Sequence, residues 1–392
     1  MPAHQAWLAE MRATQPVCRD PNTGSWHAFG YAEASRVLTD HAVFSSEQFP
    51  GSAVQANRSP LAASMLATDP PRHNQLRGLV SQAFTPRAVA GLAPRITAIT
   101  RELLDAVRTT GAMDVILDLS SPLPVTVIAE LLGVPVERHS DFKRWSDAIV
   151  SSRPSNAGYA AALRLQQRRV GAMGEMIDYF SELLAYRRQH PGDDLVSGLL
   201  AAQLDGQHLD EMELIGFCVL LLIAGNETTT NLIGNAIVCL DAQPEALAQL
   251  RRQPDLMPGA IEEVLRYLPP VWSMGRTAKS EVEIGGQRVP AGAVVTAWIA
   301  SANRDATQFP DPDHFDIARK PNRHLSFGHG IHTCIGAPLA RLEAGIALPM
   351  MLSQLPDLQR VPDAAIETIQ SDFVFGAKTL PVTFSLSRMP AS

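Results

Sequence analysis

One stretch constrains the fold more than any other. From Leu209 the chain reads LDEMELIGFCVLLLIAGNETTTN, and the apolar pattern continues to Leu240. Asp210 has the chemistry of an N-cap, and Glu213 stands three residues on, as in a capping box. Residues 214–224 are apolar on nearly every face of a helix, so this helix belongs inside a fold. Its apolar run, 215–225, is too short to span a bilayer. Helical patterns over 86–109, 141–152, 161–186, 244–252, 257–268 and 337–355 can surround it. Strand signals are fewer. EVEIGGQRV, at 281–289, predicts a hairpin turning at Gly285-Gly286, followed by a strand over 293–297. SDFVFGAKTLPVTFSL, at 371–386, is a second β-like patch. No repeat or long linker divides the chain. The expected fold class is mainly α, a single domain over 1–392 with a large helical part and a small β-rich region.

The 392 residues are 46% hydrophobic, enough for a large core. A net charge of -7 gives no basic footprint for nucleic acid. The first residues lack the apolar core and cationic lead of a secretory signal. These features predict a soluble cytoplasmic protein with no membrane and no nucleic-acid partner. The cysteines, Cys18, Cys218, Cys239 and Cys334, fit neither a disulfide framework nor a CxxC metal site.

Three stretches carry chemistry. The first is AGNETTTN, residues 224–231, where an acid and three threonines interrupt an apolar helix. Buried polar groups are costly unless hydrogen-bonded. One reading has the threonines bonding back to carbonyls one turn earlier, with Glu227 reaching a basic partner. The other notes that Ala224 and Gly225 lack bulk, so something large lies against the helix. A broken backbone hydrogen bond beside Gly225 would then open a notch, where Glu227 and Thr228 offer a carboxylate and a hydroxyl. The second stretch is AIEEVLRYLPP, residues 260–270. Glu263 and Arg266 stand at i and i+3 and share a helix face; alone, the pattern suits an exposed ion pair of small value.

The third is FGHGIHTCIG, residues 327–336, followed by a helix with Pro338 in its first turn. Cys334 thus sits at a helix N-terminus, where the macrodipole and free N–H groups lower a thiol's pKa. The glycines allow backbone to approach a flat ligand. The loop offers too few ligands for zinc. A single thiolate suits iron whose other ligands come from a macrocycle.

Together these stretches resemble the cytochrome P450 family. FGHGIHTCIG is similar to its haem-binding signature at Phe327, Gly330, His332, Cys334 and Gly336. AGNETT resembles its oxygen-activating segment, and EEVLR its Glu-x-x-Arg pair. DPDHFDIAR (311–319) and DPPRHNQLRGLVSQAFTPRAV (69–89) resemble the flanking stretches of soluble bacterial members.

The resemblance implies haem b, iron protoporphyrin IX, with Cys334 as the thiolate ligand whose electron donation favours O–O cleavage. It places Ala224, Gly225, Phe327, Gly330 and Gly336 against the cofactor, and His73, Arg77, Arg276 and His332 on its propionates. Glu263, Arg266 and Arg319 become a buried structural cluster. Glu227 and Thr228 become the acid–alcohol pair that relays protons to bound O2. The implied substrate pocket holds the segment 48–65, Ile223, Val271, Trp272, Met274, Phe373 and Phe375, for a hydrophobic small molecule such as a fatty acid, terpenoid, steroid or macrolide-like compound. The implied activity is a monooxygenase using O2 and electrons from a separate ferredoxin or flavodoxin with its NAD(P)H-dependent reductase. Arg72 and Arg341 are candidate contacts for an acidic partner. The alternatives are a peroxide-driven peroxygenase and a haem-thiolate gas or ligand sensor.

Overall fold

The central helix forms over Glu211–Asp241 in the computed structural model, which describes residues 2–47, 60–150, 159–362, 364–369, 371 and 373–386. Its start follows from the predicted capping box. Asp210 Oδ1 accepts from Glu213 N at 2.8 Å, and Glu213 Oε2 accepts from Asp210 N at 2.9 Å. Two of the orphan donors at the helix start are thereby satisfied. Ile215, Phe217, Val219 and Leu222 are buried, as are Leu232, Ile233 and Ile237 beyond the polar segment. Burial of each such side chain is worth about 1.5–3 kcal/mol. This helix is long and apolar enough to cross a membrane by length and composition, contrary to the expectation from its run of apolar residues. Its flanks are instead covered by protein. The helices Pro122–Leu131, His139–Val150, Tyr159–Gln189 and Ala337–Gln354 all pack against it.

The predicted helices at 244–252, 257–268 and 337–355 appear as Pro244–Arg252, Met257–Tyr267 and Ala337–Gln354. The pattern over 86–109 divides into Pro86–Gly91 and Ala93–Val107, separated at Leu92. Pro94, within the first turn of the second helix, has no N–H to continue the first.

The β region is small. Strands β1 (Val17–Arg19), β2 (Trp26–Ala28), β3 (Phe44–Ser45), β5 (Met274–Ala278) and β8 (Val294–Ala297) form a sheet ordered β1-β2-β8-β5-β3. Strands β4 (Ala112–Asp114), β9 (Gln359–Arg360) and β10 (Pro381–Thr383) form a second, ordered β4-β10-β9. The predicted hairpin is β6 (Val282–Ile284) with β7 (Gln287–Val289), in register Val282↔Val289. Gly285 and Gly286 have φ of 55° and 72°, the two positive values a tight hairpin turn demands. The patch over 371–386 contributes β10 and isolated bridges, Val271↔Val374 and Thr368↔Ala377, which seat it beside the segment leading into β5.

Candidate active site

The cysteine loop is built by three glycine-rich turns and by contacts from distant elements. Gly328 and Gly330 adopt φ of 68° and 72°, a region that L side chains enter only at a cost. Gly330 has a second constraint, because a Cβ there would lie 3.2 Å from Thr39 Cα at the end of the Tyr31–Thr39 helix. Its role is thus to let the loop meet that helix. Gly336 has ordinary backbone angles, and a Cβ there would lie 3.8 Å from Cys334 Sγ. Cys334 N donates to Phe327 O at 2.7 Å, which closes the loop. Arg77, from the Arg72–Ala83 helix, donates to Thr333 O at 2.8 Å. That bond fixes the residue before Cys334.

The sulfur lies deep in the fold, yet Cys334 remains open on one side. Burial raises the thiol pKa above its usual value, and the amides of Gly336 and Ala337 pull it back only in part. This corrects the expectation of a thiol acidified by the helix terminus: desolvation of the thiolate wins over the dipole. Phe327 is packed on its outer side by the Arg341 guanidinium, 4.4 Å from the ring centroid. Arg341 is itself held by Glu262 at 2.6 and 2.9 Å, with His324 on the same carboxylate at 3.1 Å. Arg72 is bound to Glu213. Both arginines offered as partner contacts therefore have carboxylates within the chain.

Next to the loop stands a cluster of basic groups. His73 is buried, its ring 4.3 Å from that of His332. His332 Nε2 lies 2.8 Å from Ser46 Oγ, and the Ser46 amide is held by Asp69, which also binds Lys279. Burial, with Arg276 and His73 nearby, lowers the His332 pKa to about 3. Arg276 is buried on β5, donates to Gly275 O, and makes no ion pair among the described residues. His73 Nε2 is buried with no hydrogen-bond partner among the described residues. A buried arginine without an anion and an orphaned imidazole nitrogen call for a negatively charged group at this point. The donor set thus fits a flat cofactor with acidic arms lying over the cysteine loop, and Cys334 supplies a soft ligand for its metal.

On the central helix Ala224 is exposed, although Leu222 and Asn226 on either side are buried. The helix is continuous here, with no break beside Gly225. Thr228 Oγ1 donates to Ala224 O at 2.6 Å, as in the back-bonding reading. Gly225 also meets the neighbouring Pro122–Leu131 helix: a Cβ there would lie 2.5 Å from Ile128 Cδ1, so a larger residue would have to push that side-chain tip aside. Asn226 donates to Ser146 Oγ and Thr230 to Ser120 O, which pins the far side of the helix. Glu227 is partly buried, and desolvation lifts its pKa to about 7, opposed by Arg169 of the Tyr159–Gln189 helix.

The Glu-x-x-Arg pair is fully buried, not exposed. Arg266 donates to Glu263 at 2.7 and 2.8 Å, and both side chains are 0% exposed. Arg319 Nε reaches Glu263 Oε1 at 3.2 Å, and the Asp316 amide and Asn322 also donate to this carboxylate. Arg266 further donates to the carbonyls of Asn303, Pro312 and His314. The cluster therefore staples the Met257–Tyr267 helix to the strand-poor segment that leads into the cysteine loop.

The pocket residues divide. Ile223, Val271 and Met274 are partly buried, and Phe373 is 50% exposed. Trp272 and Phe375 are buried and stacked on each other, centroids 4.5 Å apart, and His4 packs edge-on against Trp272 at 4.6 Å. Both belong to the main hydrophobic core. Residues 48–59 of the expected pocket lie outside the described residues. Sequence reasoning missed Glu343, a buried acid on the Ala337–Gln354 helix, hydrogen-bonded by Thr229. Its signal was an acid among apolar residues, LEAGIAL. It also missed the Ser46–Asp69–Lys279 chain, whose members are far apart in sequence.

A cytochrome P450 family model matches residues 27–384. Cytochrome P450 109 of Bacillus spizizenii is 44% identical over 374 residues, 95% of this chain and 90% of the relative. Erythromycin C-12 hydroxylase of Saccharopolyspora erythraea is 41% identical, over 96% of this chain and 93% of its own. Among solved structures, CYP109E1 of Bacillus megaterium in complex with testosterone has a TM-score of 0.88 at 42% identity, over 97% of this chain and 98% of that one. Matched along nearly its whole length, with hydroxylases among its relatives, the chain belongs to the cytochrome P450 family and is a monooxygenase.

Proposed function

We propose that the protein is a cytoplasmic haem b monooxygenase that inserts one oxygen atom of O2 into a hydrophobic small molecule, by hydroxylation or epoxidation. Electrons come from a separate ferredoxin or flavodoxin and its NAD(P)H-dependent reductase. Cys334 would ligate the iron, while His73, Arg276 and His332 would hold the propionates. When bound, the haem supplies the activation of dioxygen. The observation that carries the reading is the pairing of Glu227 with Thr228 on the helix face that Ala224 leaves open. The Thr228 proton is engaged by Ala224 O. Its oxygen therefore offers lone pairs and accepts a hydrogen bond from a water or a protonated oxygen. Glu227, with a pKa of about 7, holds and releases a proton near neutral pH, as a relay acid should. Such a relay serves O2 reduction and is unnecessary for a sensor.

The substrate class follows from apolar walls at Ile223, Val271, Met274 and Phe373. One relative is named an erythromycin C-12 hydroxylase, and one solved relative holds testosterone; a rigid apolar molecule of steroid to macrolide size is the proposed ligand. The test is turnover with a surrogate ferredoxin pair and testosterone as probe. Thr228→Ala should keep the haem spectrum and raise the share of electrons lost as hydrogen peroxide by about tenfold. Unchanged coupling in that variant would remove Thr228 from the acid–alcohol pair.

A further inference from the structure

Beside the second half of the central helix lies a cavity of about 240 Å³, lined by Asn235 and Val238 of that helix and by Ile366, Thr368, Phe375 and Ala377. Its outer wall is a short ladder. Thr368 bridges to Ala377, Ile369 N donates to Gly376 O at 2.9 Å, and Lys378 N donates to Glu367 O at 2.8 Å. Two contacts pin this ladder to the helix. Asn235 Nδ2 donates to Phe375 O at 3.4 Å, and the Gly376 backbone sits so close that a Cβ there would overlap Asn231 Oδ1. The ladder is thus held at a fixed distance, and the short side chains of Thr368 and Ala377 leave the space between unfilled.

Val238, Phe375 and Ala377 are buried, whereas Ile366 and Thr368 are partly exposed and mark the mouth. Apolar wall with no atoms opposite it forfeits dispersion contacts. Water regains little there, because a buried water needs two to four polar partners. Only Asn235 and Thr368 of the lining residues are polar. The amide protons of Asn235 already go to Leu268 O at 3.0 Å and to Phe375 O, which leaves its carbonyl oxygen as an acceptor. An apolar cavity of about 150 Å³ is enough to take up benzene. Phe375 supplies an aromatic wall, held in place by stacking on Trp272 at 4.5 Å. Ring against ring adds attraction beyond the area covered.

We propose that this cavity is a second ligand site, for a compact aromatic molecule that carries a single N–H or O–H donor. The ring of the guest fills the space between Val238, Phe375 and Ala377, and its donor bonds to Asn235 Oδ1. Asn235 stands two helical turns beyond Thr228, about 10 Å along the axis. A guest held there touches neither the cysteine loop nor the acid–threonine pair. The site therefore does not depend on the substrate or the oxygen chemistry proposed above.

The probe is 5-bromoindole, offered to the haem-loaded protein. A soaked crystal should show the anomalous peak of bromine inside the cavity, with the indole N–H within hydrogen-bond distance of Asn235 Oδ1. In solution, calorimetric titration should give a dissociation constant that Ala377→Leu weakens by at least about tenfold, because the added carbons take the space of the guest. Ile366→Trp, at the partly exposed mouth, should weaken it likewise, and it decides the matter if Ala377→Leu fails to fold. Binding at this site should leave the haem absorbance unmoved. Ordered water alone in the cavity, or a bromine peak found only over the cysteine loop, overturns the second site. So does an affinity that neither filled variant changes.

Discussion

Replacing Glu343 by glutamine should make the protein's stability less sensitive to pH. Glu343 is 1% exposed, Thr229 donates to it, and one of its oxygens has no partner among the described residues. Burial raises its pKa from 4.5 to about 8, with the Thr229 bond opposing the rise. The folded chain therefore keeps a proton that the unfolded chain gives up above pH 4.5. Stability from this group is present in full below the unfolded pKa and is lost as pH rises toward the folded one, at about 1.4 kcal/mol per unit. Over the whole interval the loss is about 5 kcal/mol. Glutamine has the same shape, accepts from Thr229 and does not titrate, so it removes this slope. For a chain of 392 residues, 1 kcal/mol moves Tm by about 1 °C. Thermal unfolding of the haem-loaded proteins at steps from pH 5 to 9 should show the variant gaining on the parent by about 5 °C, then levelling off. Parallel Tm curves, or a variant that loses ground as pH rises, would refute the argument that Glu343 is a neutral acid locked between two helices.

Glu263→Gln leaves the buried guanidinium groups of Arg266 and Arg319 without their anion; we expect a loss of about 3–5 kcal/mol in chemical denaturation, with reduced haem retention. A parent-like midpoint would show that the carbonyl bonds of Arg266 suffice. Gly225→Ala drives a methyl group into Ile128 Cδ1 and should destabilise by about 1–3 kcal/mol. Ile128→Val removes that δ-methyl, so a double-mutant cycle should recover most of the loss, whereas additive effects would mean glycine serves something else. Gly330→Ala meets both a positive φ and the Thr39 backbone and should cost about 1–2 kcal/mol, read as lower Tm and lower haem content.

The helices were legible because each carries its own punctuation. Asp210 and Glu213 cap the central helix as a local pattern, and Gly285-Gly286 turn their hairpin through backbone freedom alone. The cysteine, its glycines and the acid–threonine pair were legible because chemistry at fixed spacing survives without knowledge of the fold. The causes of several small residues were not. Gly225 reads as clearance for a ligand, and its second neighbour, Ile128 Cδ1, lies nearly a hundred residues earlier in the chain, where no local pattern points to it. Nor does any local pattern show that Trp272 and Phe375, about a hundred residues apart, stack on each other.

Sequence by itself marked the central helix, several of its neighbours and the hairpin, since caps, turns and helical periodicity act over a few residues; it did not mark the helices Tyr31–Thr39 and Pro122–Leu131. Tertiary structure decided the energies. Whether Glu263 is buried, whether Cys334 is acidified, and whether Glu343 keeps its proton depend on desolvation and on partners brought from distant segments. Those terms exist only once the chain has closed around them.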